Sequence, residues 1–260
     1  KIQAGHFEFE GALSPKDFLE TLAKGSTVTF SVTLIEGKTL SNWLDQLWEA
    51  KHLRREIPKE LSSREAYPLI SKILKLSTDS PEGWFYPDTY RYSVGDSEMS
   101  ILLRAHLRMK ASLDEAWANR QKDIPLKSAY EALILASIIE KETGAKNERA
   151  QISGVFMRRL NKKMRLQTDP TVIYGQGENF SGNLKRVHLR EANDYNTYMI
   201  PGLPPTPIAL PSQAAVEAAV NPADGTAIFF VSRGDGTHVF SETLEQHNQA
   251  VREFQLRISK

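Results

Sequence analysis

The chain has 260 residues, of which 40% are hydrophobic and 25% charged, with 15 Gly and 13 Pro. These values are typical of a globular protein and exclude a disordered, collagen-like or coiled-coil chain. The formal net charge of +1 argues against a surface built as a whole to bind nucleic acid or an anionic membrane, and without cysteine the chain has no disulfide, thiol nucleophile or cysteine-ligated zinc.

The first part of the chain predicts a helix, a strand and two further helices. A Ser-Pro pair starts the helix over 14–25 and a Gly ends it. Alternating polar and β-branched residues predict a half-buried strand over 27–35. Apolar residues at helical spacing predict helices over 40–53 and around 70–74. Residues 82–90 hold four aromatic residues around a Gly and a Pro, which predicts a structured loop that either packs into the core or contacts a ligand.

Two long helices are predicted in the middle of the chain. The first covers residues 98–118. The second starts at Ser128, which forms a capping box with Glu131, and its interior is apolar all round. A helix of this kind lies buried in the middle of its domain.

The last turn of that buried helix carries two acids, Glu140 and Glu142. At about 100° per residue, Glu140 shares a face with the small residues Ala136 and Ser137, whereas Glu142 shares one with bulkier residues such as Ile138. Small side chains leave room, so this pattern favours Glu140 as the group that faces a cavity. The alternative is that both are solvated acids at a helix end, although acids there oppose the helix dipole.

The C-terminal half continues with helices, a long loop and a hairpin. Residues 149–165 hold six basic residues and no acidic one, which fits a solvated face, a groove for an acidic polymer or a nucleic-acid stripe. Asp169 precedes a Pro and caps a short helix. A Pro-rich loop over 193–212 is long enough to suggest function. A short helix over 213–220 and a hairpin over 227–240 follow, and a last helix starts near the end of the hairpin.

The chain lacks the motifs of several enzyme classes. The signatures of zinc peptidases, serine β-lactamases, α/β-hydrolases, P-loop proteins and dinucleotide-binding domains are all absent. Six scattered His offer no metal-binding spacing, so we expect neither a metal nor a cofactor. What remains is a carboxylate on a buried helix, surrounded by Tyr, Trp, Asn, Gln and Thr. That mixture suits a carbohydrate substrate, because aromatic rings stack on sugars and a carboxylic acid can protonate a glycosidic oxygen.

Several segments, in order along the chain, resemble the signature blocks of the YceG-like family of endolytic murein transglycosylases. They are residues 82–90, 136–143, 165–174, 196–198 with 202–205, 236–240 and 245–248. The resemblance covers nearly the whole chain. The mixture of helices and short strands predicts an α+β fold. The resemblance implies a LysM-like module over 1–36 and a helix-rich catalytic domain over 37–260 that ends in a hairpin and a helix. The earlier part of the module and the family's N-terminal membrane anchor are expected to be missing.

The resemblance implies cleavage of the MurNAc-β-1,4-GlcNAc bond of peptidoglycan without water, leaving a 1,6-anhydro-MurNAc end. It makes Glu140 the catalytic residue, first as general acid and then as base. We hypothesise that further residues contact the glycan strand. They are Gln167, Asp169, Thr171, Tyr174, Asn196 and Tyr198, with Glu82 at the rim of the site. The expected location is the outer face of the bacterial inner membrane, with cell-wall synthesis enzymes as partners and no nucleic acid.

Three other functions stay open at this stage. A glycoside hydrolase would need a second carboxylate to activate water, and Asp169 is the candidate. A peptidoglycan-binding scaffold would leave Glu140 inert. A nucleic-acid-binding protein would use the basic segment over 149–165.

Overall fold

The computed structural model describes residues 7, 9, 11–12, 14–24, 28–145, 147–177 and 180–255. Within these ranges the fold is a mixed α+β structure, as predicted, with nine α-helices and two antiparallel two-stranded sheets. The elements are α1 (Pro15–Lys24), β1 (Phe30–Leu34), α2 (Leu40–Glu49), α3 (Tyr67–Leu74), β2 (Asp88–Tyr92), α4 (Glu98–Ala118), α5 (Ala129–Glu142), α6 (Arg149–Asn161), α7 (Asp169–Gln176), α8 (Gln213–Val220), β3 (Phe229–Ser232), β4 (His238–Ser241) and α9 (Leu244–Phe254).

Strand β2 was not predicted from the sequence, because its residues overlap the aromatic segment that was interpreted as a loop. It pairs with β1 in antiparallel register, with Phe30 opposite Tyr92 and Leu34 opposite Asp88. Val32 and Tyr90 face each other across this pair, and both are buried. The strand therefore depends on a partner more than 50 positions away, which local periodicity does not reveal.

The chain forms two compact units. The first unit contains the described residues up to Ile35 together with 40–81 and 87–107; the second contains 36–39, 82–86 and the chain from Arg108 on. Strand β1 pairs with β2 inside the first unit. The division into a module over 1–36 and a catalytic domain over 37–260 stays a prediction. The likeness of residues 1–36 to a LysM module also stays a prediction.

The second unit is built around α5. Every residue from Ala132 to Ile139 is buried, as the uniformly apolar sequence predicts. Ser128 caps the helix by accepting a hydrogen bond from the Glu131 N–H at 3.2 Å. Helices α6 and α8 pack against α5, so its C-terminal turn is held from several sides. This rigid turn positions both candidate acids.

The β3–β4 hairpin and α9 complete the second unit. The hairpin pairs Phe229 with Ser241. Helix α9 starts at Leu244, slightly later than predicted, because Thr243 and Gln246 form a capping box there. None of the helices in the described ranges has the length and hydropathy needed to cross a membrane.

Candidate active site

A cleft of about 430 Å³ lies in the second unit beside the C-terminal end of α5. Its walls come from that helix end, the segment 166–169, Tyr198, the β3–β4 hairpin and α9. Polar and aromatic side chains dominate the lining: Glu142, Arg159, Gln167, Thr168, Asp169, Tyr198, Phe229, Phe230, His238 and His247. The cleft thus combines two carboxyl groups, Glu142 and Asp169, with hydroxyl, amide and aromatic groups.

Glu142 is the acid of α5 that lines the cleft, and its side chain is partly buried. The Thr168 hydroxyl donates a hydrogen bond to Glu142 Oε1. The pKa of Glu142 is raised to about 7: burial is the largest cause and the negative charge of Asp169 adds to it, while the Thr168 hydrogen bond and the charge of Arg159 act in the opposite direction. A carboxyl group in this state is partly protonated near neutral pH and can act as an acid.

The segment before α7 is held tightly against the loop that contains Thr197. The Thr168 N–H donates to Thr197 Oγ1 at 3.0 Å, and the Gln167 N–H donates to the Thr197 carbonyl at 3.2 Å. Gln167 has a φ of 53°, in the left-handed region that non-glycine residues rarely adopt. A conformation of this kind persists only where the surrounding contacts impose it. The residue held in this conformation, Gln167, has an exposed side chain that lines the cleft.

Asp169 and Tyr198 form a hydrogen-bonded pair in the cleft wall. The Tyr198 hydroxyl donates to Asp169 Oδ1 at 2.7 Å. Burial, the Asp169 hydrogen bond and nearby negative charge raise the pKa of Tyr198, so this hydroxyl stays protonated. Arg165 donates to the Tyr198 carbonyl at 2.9 Å and fixes the backbone of the same residue. Both members of the pair were predicted to bind substrate.

Arg159 is a component of the cleft that the sequence analysis counted only among the basic residues of 149–165. Its side chain is buried, donates to the carbonyls of Ile228 at 2.6 Å and Leu166 at 2.7 Å, and lies 5.2 Å from the Phe229 ring. The signal was present in the spacing, because Arg159 follows Ile152 by seven positions and so continues the apolar stripe of α6. With Arg159 and Arg149 both buried, the basic run over 149–165 is not a uniform solvent-exposed stripe.

Glu140 does not line the cleft, contrary to the argument from helix faces. Its side chain is 5% exposed; Oε2 accepts hydrogen bonds from the Ser212 N–H at 2.9 Å and from the Ser212 hydroxyl, and Oε1 lies 3.4 Å from Arg149 Nη2. The small residues on this face make room for the chain before α8 rather than for a ligand, since Ser137 Oγ accepts from the Ile208 N–H at 3.0 Å. Glu140 therefore joins three structural elements.

Four other predicted substrate contacts also lie outside the cleft lining. Thr171 is fully buried and donates to the Thr168 carbonyl at 2.8 Å. Asn196 is 1% exposed and donates to two backbone carbonyls, at 3.0 and 2.8 Å. The Tyr174 hydroxyl donates to the buried Glu82 at 3.3 Å. The structure thus brings together Gln167, Asp169 and Tyr198 among the predicted contacts, and gives Thr171 and Asn196 roles in holding the backbone.

Residues from the end of the chain were missed altogether. His238, His247 and Phe229 line the cleft, although the sequence analysis gave the hairpin and the last helix no function. The His247 ring stacks on Phe229 at 5.2 Å. The sequence did contain an indication of these residues, because His238 and His247 lie in two of the blocks that resemble the family. Within the described ranges, no group of His, Asp and Glu is arranged to hold a metal ion.

The fold that carries this acid-lined cleft occurs in a solved structure. A YceG-like protein of Listeria monocytogenes superposes with a TM-score of 0.70 over 95% of this chain and 84% of that chain, at 29% sequence identity. The family model described as the YceG-like family matches residues 1–253. The chain belongs to the YceG-like family, and the family prediction made from the sequence blocks is confirmed.

Curated relatives carry the name endolytic murein transglycosylase. The Bacillus subtilis protein of that name is 30% identical over 261 residues, covering 96% of this chain and 72% of the relative. The protein of that name from Streptococcus pneumoniae strain D39 is 26% identical over 282 residues, covering 97% of this chain. The chain spans half the length of this pneumococcal relative. These names describe enzymes, and the prediction from the sequence that the chain belongs to an enzyme family is confirmed.

Proposed function

We propose that this protein is an endolytic lytic transglycosylase that cleaves the MurNAc-β-1,4-GlcNAc bond of peptidoglycan strands, with Glu142 as the general acid. The observation that carries the proposal is the position of Glu142 in a polar and aromatic cleft that raises its pKa to about 7. The names of the curated relatives support the substrate class. The acid is thus assigned to Glu142 in place of Glu140, whose carboxylate is engaged by Ser212 and Arg149.

The proposed reaction begins with proton transfer from Glu142 to the glycosidic oxygen. The bond from MurNAc C1 to that oxygen breaks, and the carboxylate left on Glu142 offsets the positive charge that develops at C1. The C6 hydroxyl oxygen of the same sugar then bonds to C1 and loses its proton. No water is consumed, so the product is a 1,6-anhydro ring. The family resemblance gives both proton transfers to a single carboxylate, which the sequence analysis assigned to Glu140; the present proposal gives the first transfer to Glu142.

The surroundings of Asp169 favour a supporting role over that of a second catalytic carboxylate. One of its oxygens accepts the Tyr198 hydroxyl, and its negative charge keeps Glu142 protonated to higher pH. Retaining and inverting hydrolases instead use the second carboxylate on the sugar or on water. We propose that Gln167 and Tyr198 bind sugar hydroxyl groups and that Phe229 and His247 present a ring surface to a sugar face.

The location and partners follow from the proposed substrate. Peptidoglycan lies outside the bacterial inner membrane, so a protein that cleaves it works on that side of the membrane and encounters the enzymes that synthesise the wall. The LysM-like character of residues 1–36 belongs to the same proposal, since such modules bind glycan strands.

Mass spectrometry of the products tests the proposed function. Incubation of the protein with purified peptidoglycan should release fragments that end in 1,6-anhydro-MurNAc, each lighter by one water than the corresponding hydrolysis product. Reduction with borohydride provides the control, since anhydro ends are not reduced whereas hydrolytic ends are. Reducible, hydrated ends would contradict the proposal and would favour a glycoside hydrolase with Asp169 as its second catalytic carboxylate.

The rate should fall with rising pH because the proton donor is Glu142. Its protonated form predominates below a pKa of about 7. We therefore expect a rate that falls about tenfold per pH unit well above pH 7. Initial rates of anhydro-end formation between pH 5 and 9 measure this, with protein stability checked at each pH. A rate that rises through this range would contradict Glu142 as the acid.

A further inference from the structure

A hydrogen-bonded pair lies beside the cleft, formed by Glu148 at the start of α6 and by His238 at the start of β4, and the His238 side chain lines the cleft. His238 Nδ1 lies 2.7 Å from Glu148 Oε2, and the His238 backbone N–H donates to Glu148 Oε1 at 3.1 Å. The side chains are 8% and 9% exposed. Glu148 thus uses both carboxylate oxygens on one residue, and none of its hydrogen bonds caps the helix at whose N-terminus it lies.

This arrangement determines which ring nitrogen of His238 is available to a ligand in the cleft. A carboxylate has no proton to donate, so Nδ1 carries the hydrogen of the 2.7 Å bond. Phe230 packs edge-on against the imidazole at 5.5 Å and restricts its rotation. Because the ring lines the cleft and Nδ1 is occupied, Nε2 is the nitrogen left to contact a ligand there.

We propose that His238 is a further catalytic residue, whose Nε2 accepts the C6 hydroxyl proton when the anhydro ring closes, and that Glu148 is its positioning residue. This inference rests on the proposed function and replaces the single carboxylate with two groups, one for each proton transfer. Glu142 already accepts a hydrogen bond from Thr168 on one oxygen and keeps the other for the leaving oxygen. A second group in the same cleft then takes the second proton, and imidazole is the side chain most often used as a general base.

The proton balance of the divided reaction is complete. Glu142 gives its proton to the leaving GlcNAc oxygen as the bond to C1 breaks. The MurNAc C6 oxygen bonds to C1, and its proton moves to His238 Nε2. His238 then releases this proton to solvent, and Glu142 takes one from solvent, so the enzyme returns to its starting state without oxidant, reductant or consumed water.

The decisive variant is His238→Asn. The Asn amide can donate to Glu148 as Nδ1 does, which preserves the structural contact, but it has no counterpart of Nε2. We expect the rate of anhydro-end formation at saturating peptidoglycan to fall about 10²-fold or more, with thermal stability and binding to sacculi unchanged. His238→Ala should show the same loss, and added imidazole should restore part of the rate. His188→Ala, at a histidine that does not line the cleft, is the matched control and should behave as wild type.

A second variant tests the positioning role. In Glu148→Gln the amide can donate to Nδ1, which places the imidazole hydrogen on Nε2 and removes its capacity to accept a proton. We expect the rate to fall while sacculus binding is retained. A His238→Asn protein within about threefold of wild type would overturn the proposal, and so would a loss of binding that matches the loss of rate.

The same assay separates this inference from the proposed function. Wild type and Glu142→Gln are measured together with the His238 variants. If wild type forms no anhydro ends, the proposed function fails and the role of His238 fails with it. If wild type is active and Glu142→Gln is not, the proposed function stands, and the His238→Asn result decides the inference alone.

Discussion

Replacement of Glu142 by Gln should reduce the formation of anhydro ends by about 10³-fold or more, because it removes the proton donor from the cleft. The amide has nearly the same shape as the carboxyl and can still accept the hydrogen bond from Thr168, so the fold should be preserved. Initial rates with purified peptidoglycan, measured by chromatography of the released fragments, give the size of the loss.

The control for this variant is Glu115→Gln, which changes an exposed carboxylate on α4. It should cleave peptidoglycan at the wild-type rate. A Glu142→Gln protein that keeps a tenth or more of the wild-type rate (roughly 1.4 kcal/mol of lost transition-state stabilisation) would contradict the assignment.

The same substitution should stabilise the folded protein above neutral pH. A carboxyl whose pKa rises from 4.5 unfolded to about 7 folded costs stability that is absent below pH 4.5 and complete above about pH 7. At about 1.4 kcal/mol per pH unit between the two values, the cost at pH 8 is on the order of 3 kcal/mol. Glu142→Gln should therefore unfold at a higher urea concentration than wild type at pH 8, and at a similar one at pH 4.5.

Replacement of Glu140 by Ala should destabilise the second unit by about 3–5 kcal/mol. It leaves the guanidinium of Arg149 buried without its partner and removes the acceptor of two hydrogen bonds from Ser212. Urea unfolding measures the change in the free energy of unfolding. Glu140→Gln should cost less, because the amide oxygen can still accept from Ser212, and the folded Glu140→Gln protein should keep most of its activity.

The paired variant Glu140→Leu/Arg149→Met is the control for the buried charge. With both charges removed, it should be more stable than Glu140→Ala, since no uncompensated charge remains. Together with the Glu142 variant, these measurements discriminate between the two acids of α5. A Glu140→Gln protein with wild-type stability and no cleavage would restore Glu140 as the catalytic acid.

The two acids also explain how far local sequence reasoning reaches. The apolar run from Ala132 to Ile139 predicted a buried helix whose last turn carries two acids, and the structure contains this buried helix. Helix periodicity then favoured the face with small side chains. That face is occupied by the chain before α8, whose Ile208 and Ser212 bond to Ser137 and Glu140. The sizes of the side chains along one helix show where space is left beside that helix. They do not show which other segment of the chain fills that space.

By itself the sequence determined the helices, the family and the presence of a carboxyl-bearing buried helix, because capping, periodicity and linear blocks are local properties of the chain. Only the tertiary structure decided which carboxyl lines the cleft and which residues surround it. Glu142, Arg159, Asp169 and His238 come from four separated segments of the chain. The effects of Asp169 and Arg159 on the pKa of Glu142, and the pairing of His238 with Glu148, depend on distances in space. The pairing of β1 with β2 required the fold for the same reason.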